Sequence, residues 1–490
     1  MENDNSYSHI LKYTSLFGGV QMLNILMGLL RNKLVAVILG PMGMGLVALF
    51  SSTIKLVVDS TNFGLHISAV RQMSAAFDRG DEASLRHEIH VFRHWTILTA
   101  VLGLLVCACL SPLLSRWTFS FGNHTLHFVF LSPVVALTTI TAGETAILKA
   151  TRRLRELAVS SLFGAIGVLL VSVPIYLVYN YKAIVPSLLL IGLVQCFVVV
   201  RFSLRHYPLQ LQFGWNYLKE GRTFIALGLA FVVAGMMGSG AELAIRAYLS
   251  QVSDVDTVGL YNAVYVMIVT YAGLVFTAID TDYYPRLSAI RRPGRTMNRL
   301  INSQIEVSLN VVSPLLVLFI LFMPILLPLL YSGKFAPVLP MLQAAALSMY
   351  SRAVFLPIEY ISLSRGDSVM FLVIETFSDV LLVSLLIIGF NVFGLLGMGI
   401  AMAIVYLLEL LFVFVCARLR YFYRPSKEVL RAMSVHFALG LLIYGVTFVE
   451  SSLLYCVLGA ALFALDAWFS MSVVNKNTPI IAKIRQKLYL

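Results

Sequence analysis

Charge is scarce in this chain. Only 12% of its 490 residues are Asp, Glu, Lys or Arg, whereas 59% are hydrophobic. A soluble protein of this size needs a charged, polar surface, so that scarcity excludes a soluble globular fold. Cysteine is scarce too. Cys107, Cys109, Cys196, Cys416 and Cys456 all lie in apolar runs, at spacings that suit neither a zinc site nor a disulfide framework. The GxxxxGK[ST] pattern of a phosphate-binding loop is missing, which argues against an ATPase. No nucleophile–base constellation is readable, and no enzyme is expected. No polar stretch is long enough for a separate soluble domain. Met1 to Asn5 is polar and acidic, without the basic start and small-residue cleavage site of a signal peptide. The first apolar run is therefore read as a retained helix.

What the chain has instead is apolar runs from end to end, with a mean hydropathy of +0.86. One membrane crossing takes ~20 apolar residues. The runs predict an all-α, polytopic membrane protein of about fourteen spans, near 11–39, 42–70, 94–115, 125–149, 157–179, 183–202, 223–250, 257–282, 303–331, 337–363, 368–390, 393–417, 432–449 and 451–472. In such a protein a net charge of +12 belongs in the loops on one side and does not call for nucleic acid.

The loops test the count. One alternating set holds Arg71, Arg79, Arg86 and Arg93; Lys149, Arg152, Arg153 and Arg155; Arg201, Arg205, Lys219 and Arg222. It continues with Arg286, Arg291, Arg292, Arg295 and Arg299; Arg365; and Arg418, Arg420, Arg424, Lys427 and Arg431. With Lys12 and the tail residues Lys476, Lys483, Arg485 and Lys487 it holds 28 of the 36 basic residues. The other set holds three, Arg116, Lys182 and Lys334. A miscounted span would scramble the alternation, so an even number with both termini in the cytoplasm is expected.

Two segments rhyme. Arg31 precedes "LGPMGMGLVALF" and Arg246 precedes "VSDVDTVGLYNAV"; Arg31 lies fourteen residues before Gly45, and Arg246 thirteen before Gly259. "NFGLHISAVRQMS" and "IDTDYYPRLSAI" close the next spans. The expected plan is two like-oriented six-helix bundles, able to rock about a central site, plus two further helices. The corresponding divisions are 1–202, 203–417 and 418–490.

Ionisable residues inside spans are costly and mark cavities or partners. Five bases stand there: Arg31, Lys33, Lys55, Arg246 and Arg352. Seven acids are singled out: Asp59, Glu144, Glu242, Glu359, Glu375, Asp379 and Glu409. The bases are candidates for binding an anionic substrate. Lys55 with Asp59, and Glu242 with Arg246, are also (i, i+4) pairs able to neutralise each other along one helix. Glu375 and Asp379 are like charges one turn apart, so one could hold a proton; the bland alternative pairs them with Arg352. Asp59, Glu242, Glu375 and Asp379 are the candidates for ion coupling. Gly40, Pro41, Gly43 and Gly45 read as a tight outer turn. Gly235, Gly238 and Gly240 read as a place where the helix loosens or kinks, and Gly394, Gly397 and Gly399 as a close helix approach. His66, His87 and His90 lack metal-ligand spacing.

Taken together, "RNKLVAVILGPMGMGLVALF", "NFGLHISAVRQMS", "TDYYPRLSAI" and the span plan resemble the Wzx-type O-antigen and polysaccharide-unit flippases. These belong to the multidrug/oligosaccharidyl-lipid/polysaccharide exporter superfamily. The resemblance implies a bacterial inner-membrane protein of lipopolysaccharide or related polysaccharide biosynthesis. Its implied task is to move an undecaprenyl-diphosphate-linked oligosaccharide from the inner to the outer leaflet by alternating access. It implies a cationic cavity, proton or sodium coupling, no cofactor, and contact with membrane lipid. A polysaccharide polymerase and a chain-length regulator are further implied partners. The last two helices would shape a groove for the prenyl tail, as in lipid II flippases. A MATE-like drug/cation antiporter of the same superfamily is the alternative, although twelve spans would be its plan. A membrane-embedded glycan polymerase or ligase would need a large outer loop, and every outer loop here is short.

Overall fold

The structure, a computed structural model, describes residues 2–209, 220, 222–290 and 293–477. Lys219, Arg291, Arg292, Lys483, Arg485 and Lys487, placed in loops and tail above, lie outside the described residues. Among the described residues every regular element is helical. In chain order the α-helices are α1 Glu2–Thr61, α2 Leu65–Asp78, α3 Glu82–Cys109, α4 Ser111–Thr118, α5 Thr125–Ala150, α6 Leu154–Tyr179, α7 Ile184–His206 and α8 Arg222–Val252. They continue with α9 Val255–Tyr265, α10 Leu274–Ala289, α11 Arg295–Leu330, α12 Leu339–Ala346, α13 Ser348–Ser364, α14 Ser368–Tyr421, α15 Lys427–Val446 and α16 Ser452–Asn477.

Among the described residues nine helical stretches are long and apolar enough to cross a membrane. Part of the difference from the expected fourteen is geometric. Three of the nine, Met22–Thr61, Leu154–His206 and Ser368–Tyr421, run 40, 53 and 54 residues. Each is long enough for two crossings of ~20 residues. Each also contains a residue at positive φ: Gly40 (65°), Asn180 (51°) and Gly394 (60°). At Gly40 the cause is local. Pro41 lacks an N–H and pushes the preceding residue out of the helical region, and at φ 65°, ψ −167° only glycine is unstrained. The expected tight turn therefore forms there. On either side of Gly394, Gly389 and Gly397 lie back to back: a Cβ on Gly397 would stand 1.9 Å from the Gly389 carbonyl oxygen.

Other boundaries moved. The third helix starts at Glu82, well before the expected 94, because its first turns are amphipathic. Asp81 caps it, accepting from the Ser84 amide at 3.0 Å. The expected span 257–282 is interrupted by a π-helical turn, Val266–Ala272. Conversely, α8 runs unbroken through Gly235, Gly238 and Gly240. These glycines remove side chains there without interrupting the helix.

The chain divides into two compact units, Met1–Gly259 with Leu330–Lys334, and Leu260–Leu329 with Phe335–Leu490. In the first, α3 packs on α5, α6 on α7, and α1 on both α6 and α8. Leu65, Met73, Leu85, Ile89, Phe92 and Ile147 form a core at the α2–α3–α5 junction. In the second, α14 packs on α12 and α13, and α15 on α16. Large apolar side chains also cover the outside; Leu170 is 70% exposed and Leu453 76%. Exposure of that kind suits lipid tails rather than water.

Candidate functional site

Two clusters of ionisable groups stand inside apolar helices, one in each unit. In the first unit Lys55, on the second arm of α1, reaches α8. Its ammonium lies 2.8 Å from Glu242 Oε1. Glu242 Oε2 accepts from Arg246 Nη1 at 3.1 Å, one turn along α8. The expected Glu242–Arg246 pair thus exists, whereas Lys55 pairs across helices with Glu242 and not down its own helix with Asp59. Asp59 sits against Ser239, within electrostatic reach of Lys55 and Glu242. The Lys55 side chain is half exposed, at 51%, while Arg246 is buried. Arg31 is half-buried on the first arm of α1. Its Nε is enclosed without a hydrogen-bond partner, and it forms no ion pair among the described residues. Lys33 is half-buried two residues further on.

The second unit holds a cavity of about 300 Å3. Arg352 and Glu359 of α13, and Glu375, Asp379 and Glu409 of α14, line it, with Tyr261, Tyr265, Tyr360 and Tyr406. Glu359 and Glu409 are buried, at 8% and 6% exposure. The guanidinium carbon of Arg352 stands 5.5 Å from the centre of the Phe276 ring. Its Nη1 is enclosed without a hydrogen-bond partner, and it forms no ion pair among the described residues. The pairing of Arg352 with Glu375 or Asp379 is thus replaced by a shared cavity, in which carboxyl groups outnumber the single cation four to one. Such a lining suits a proton or an organic cation better than a phosphate.

Other charges are accounted for by structure. Glu144 receives two bonds of 2.8 Å from Arg93, and both residues are buried. His87 meets Glu220 at 2.6 Å. No group of three or more His, Cys, Asp or Glu among the described residues is placed to hold a metal ion. One buried ionisable pair escaped the sequence reading. His436 of α15 and Asp466 of α16, both fully buried, lie 2.7 Å apart. Ser313 of α11 donates to the other Asp466 oxygen at 2.8 Å, and Asn310 Oδ1 stands 3.3 Å from the far ring nitrogen of His436. An acid at the centre of the last apolar run was the available signal.

Outside the spans, Asp367 caps α14. Burial works to raise its carboxyl, but bonds from Arg420, the Tyr421 hydroxyl and the Met370 amide prevail and hold it below its ordinary range. In the turn before α5, burial and the neighbouring His127 push His124 down; the two rings approach to 3.2 Å.

The family model described as polysaccharide biosynthesis protein matches residues 33–340. Among solved structures, the lipid II flippase MurJ in an inward closed conformation superposes with a TM-score of 0.73 at 13% identity, covering 94% of this chain and 99% of that one. An inward-facing multidrug resistance MATE family transporter of the MOP superfamily gives 0.63 at 14% identity, covering 83% and 97%. The MATE multidrug transporter DinF-BH gives 0.62 at 14%, covering 84% and 96%. At these identities the likeness is one of fold. A search of curated proteins gives no match.

Proposed function

The chain belongs to the polysaccharide biosynthesis protein family, whose model spans most of it, and from that premise we propose that it is a flippase for an undecaprenyl-diphosphate-linked oligosaccharide. The observation that carries the reading is Arg31, a half-buried guanidinium in a membrane-length apolar helix that forms no ion pair among the described residues. Such a charge is stable only beside water or a mobile anion. A sugar–diphosphate head group cannot cross hydrocarbon unaided, since each unsatisfied polar group costs several kcal/mol. In the first unit Arg31, Lys33, Lys55 and Arg246 are the groups assigned to replacing its water shell, arginine being well matched to phosphate oxygens; Arg352, in the second unit, is a separate candidate.

The protein works as a transporter in a bacterial inner membrane, with both termini in the cytoplasm, as the basic-loop alternation supports. It carries its cargo, an O-antigen or related repeat unit, outward by alternating access. Protons or sodium ions drive the step through Glu375 and Asp379, with Asp59 and Glu242 as further candidates. A polymerase and a chain-length regulator receive the product on the outer face.

One observation favours a second reading. The carboxyl-rich, tyrosine-lined cavity of the second unit is also suited to an organic cation, as in a drug antiporter. Deletion of the gene separates the two. The flippase reading requires lipid-linked saccharide to accumulate on the cytoplasmic side, and the Arg31→Ala protein, present in the membrane, to fail to clear it. Drug sensitivity without that accumulation would replace it by the antiporter.

A further inference from the structure

Within the first unit, the elbow at Gly40–Pro41 in α1 meets the elbow between α8 and α9 backbone on backbone. A Cβ on Gly45 would stand 2.1 Å from the Val255 carbonyl oxygen and 3.0 Å from the Gly259 nitrogen. A Cβ on Gly259 would stand 1.9 Å from the Pro41 carbonyl oxygen. No side chain fits at either place. These are the two glycines at matching positions of the two segments that rhyme in sequence. Beside them Gln251 Nε2 donates to the Trp117 carbonyl at 2.8 Å, and Ser120 Oγ to the Ser250 carbonyl at 2.7 Å. Further along the same helices, ~17–21 Å from the elbows at 1.5 Å per residue, lies the Lys55–Glu242 ion pair.

Charge makes this pair conditional. Lys55, Arg246, Glu242 and Asp59 sum to zero when all are ionised. A diphosphate diester brings about two further negative charges. Lys55 is half exposed and its ammonium is open to competition, whereas Arg246 is buried against Glu242. An arriving phosphate therefore contends with Glu242 for Lys55 and, being of like sign to Glu242, repels it. Glu242 is carried by α8, which leads directly to the Gly259 elbow.

We propose that the Lys55–Glu242 pair is a latch that the cargo's diphosphate releases, letting the α8–α9 elbow part from α1 at the Gly45–Gly259 contact. The inference rests on the flippase reading and adds to it how cargo binding would trigger opening at the end assigned to the outside. Empty, the pair holds α8 against α1 and the glycines close on each other. With a diphosphate on Lys55, the restraint passes from α8 to the cargo.

The test uses the full chain in proteoliposomes, with spin labels replacing the exposed Asn123 and Asp256 in a background lacking the five native cysteines. The probe is undecaprenyl diphosphate. In the parent protein the probe should raise a long-distance population about fivefold, the scale expected for loss of one exposed pair. Glu242→Gln should show that population without probe, and Lys55→Gln should show it with no response to probe. Gly259→Ala should show it constitutively, and Glu242→Gln serves if that variant fails to fold. Distances in Glu242→Gln and Lys55→Gln that match the parent, with and without probe, would overturn the latch. Cellular export of lipid-linked saccharide is read in parallel. Export lost in Lys55→Gln with distances still parental sinks the latch alone, whereas no saccharide accumulation on gene deletion sinks the flippase reading itself.

Discussion

Arg93 holds Glu144 by two parallel hydrogen bonds of 2.8 Å, from Nε and Nη2, with both side chains buried. The same guanidinium donates to the carbonyls of Tyr207 and Pro208, where the chain leaves α7. One residue thus ties α3 to α5 and to the start of the connection towards α8. Removing one partner leaves an uncompensated buried charge, which costs ~3–5 kcal/mol. Glu144→Ala should therefore lower the thermal unfolding midpoint of the purified protein sharply. Arg93→Met combined with Glu144→Leu should recover much of it. Equal losses in the single and double variants would contradict the pairing.

That pair also marks the limit of what the sequence discloses. Basic-loop alternation and the lengths of the apolar runs made the helical membrane architecture legible, because both are local properties. Gly40 and Pro41 announced their turn for the same reason. The partner of a charge is not local. Glu144 finds Arg93 fifty-one positions away, and Lys55 prefers Glu242 on another helix to Asp59 on its own. Spacing could only offer the (i, i+4) alternatives. The carboxyl cavity was half legible: Glu375 and Asp379 stood out, but only folding brings Glu359 and Glu409 beside them. His436 and Asp466 were missed because a lone acid within an apolar run reads as part of the span.

His436, Asp466, Ser313 and Asn310 join α11, α15 and α16 through a buried network. A buried group stripped of its partner costs ~1–3 kcal/mol. Asp466→Ala orphans His436 and Ser313 together and should destabilise the protein by at least that much. Asp466→Asn, which keeps an acceptor for one of them, should cost less. Limited proteolysis of the Val446–Ser452 turn reports whether the last helices loosen. Indistinguishable digestion of Asp466→Ala and parent would count against a clasp.

Asp367 supplies a pH test outside the membrane. Its carboxyl is held below its unfolded value by Arg420, Tyr421 and the Met370 amide. A group whose pKa is lower in the folded state stabilises fully above its unfolded pKa, ~3.9, and loses that contribution as pH falls through the folded value. Parent and Asp367→Asn should therefore differ in unfolding midpoint at pH 7 and converge below about pH 4. The loss of cap and bonds in Asp367→Ala is worth ~0.5–2 kcal/mol near neutral pH. A gap between parent and Asp367→Asn that widened on acidification would reverse the sign and remove the assignment.

The cavity of the second unit provides the test of ion coupling. Four carboxyl groups around one arginine can hold a small cation or a proton, and a site used for coupling must exchange it during transport. Glu375→Gln and Asp379→Asn together keep volume and hydrogen-bonding capacity while removing two charges. In proteoliposomes, outward movement of a lipid-linked saccharide should respond to an imposed proton or sodium gradient in the parent protein and lose that response in the double variant. Downhill movement without a gradient should persist, since the cations assigned to the head group in the first unit are untouched. Arg352→Ala is the control for an anion role in the same cavity: it should weaken movement at every gradient if Arg352 meets the diphosphate. If the double variant instead keeps its full gradient response, the coupling ion is bound elsewhere, and Asp59 with Glu242 in the first unit becomes the next pair to neutralise.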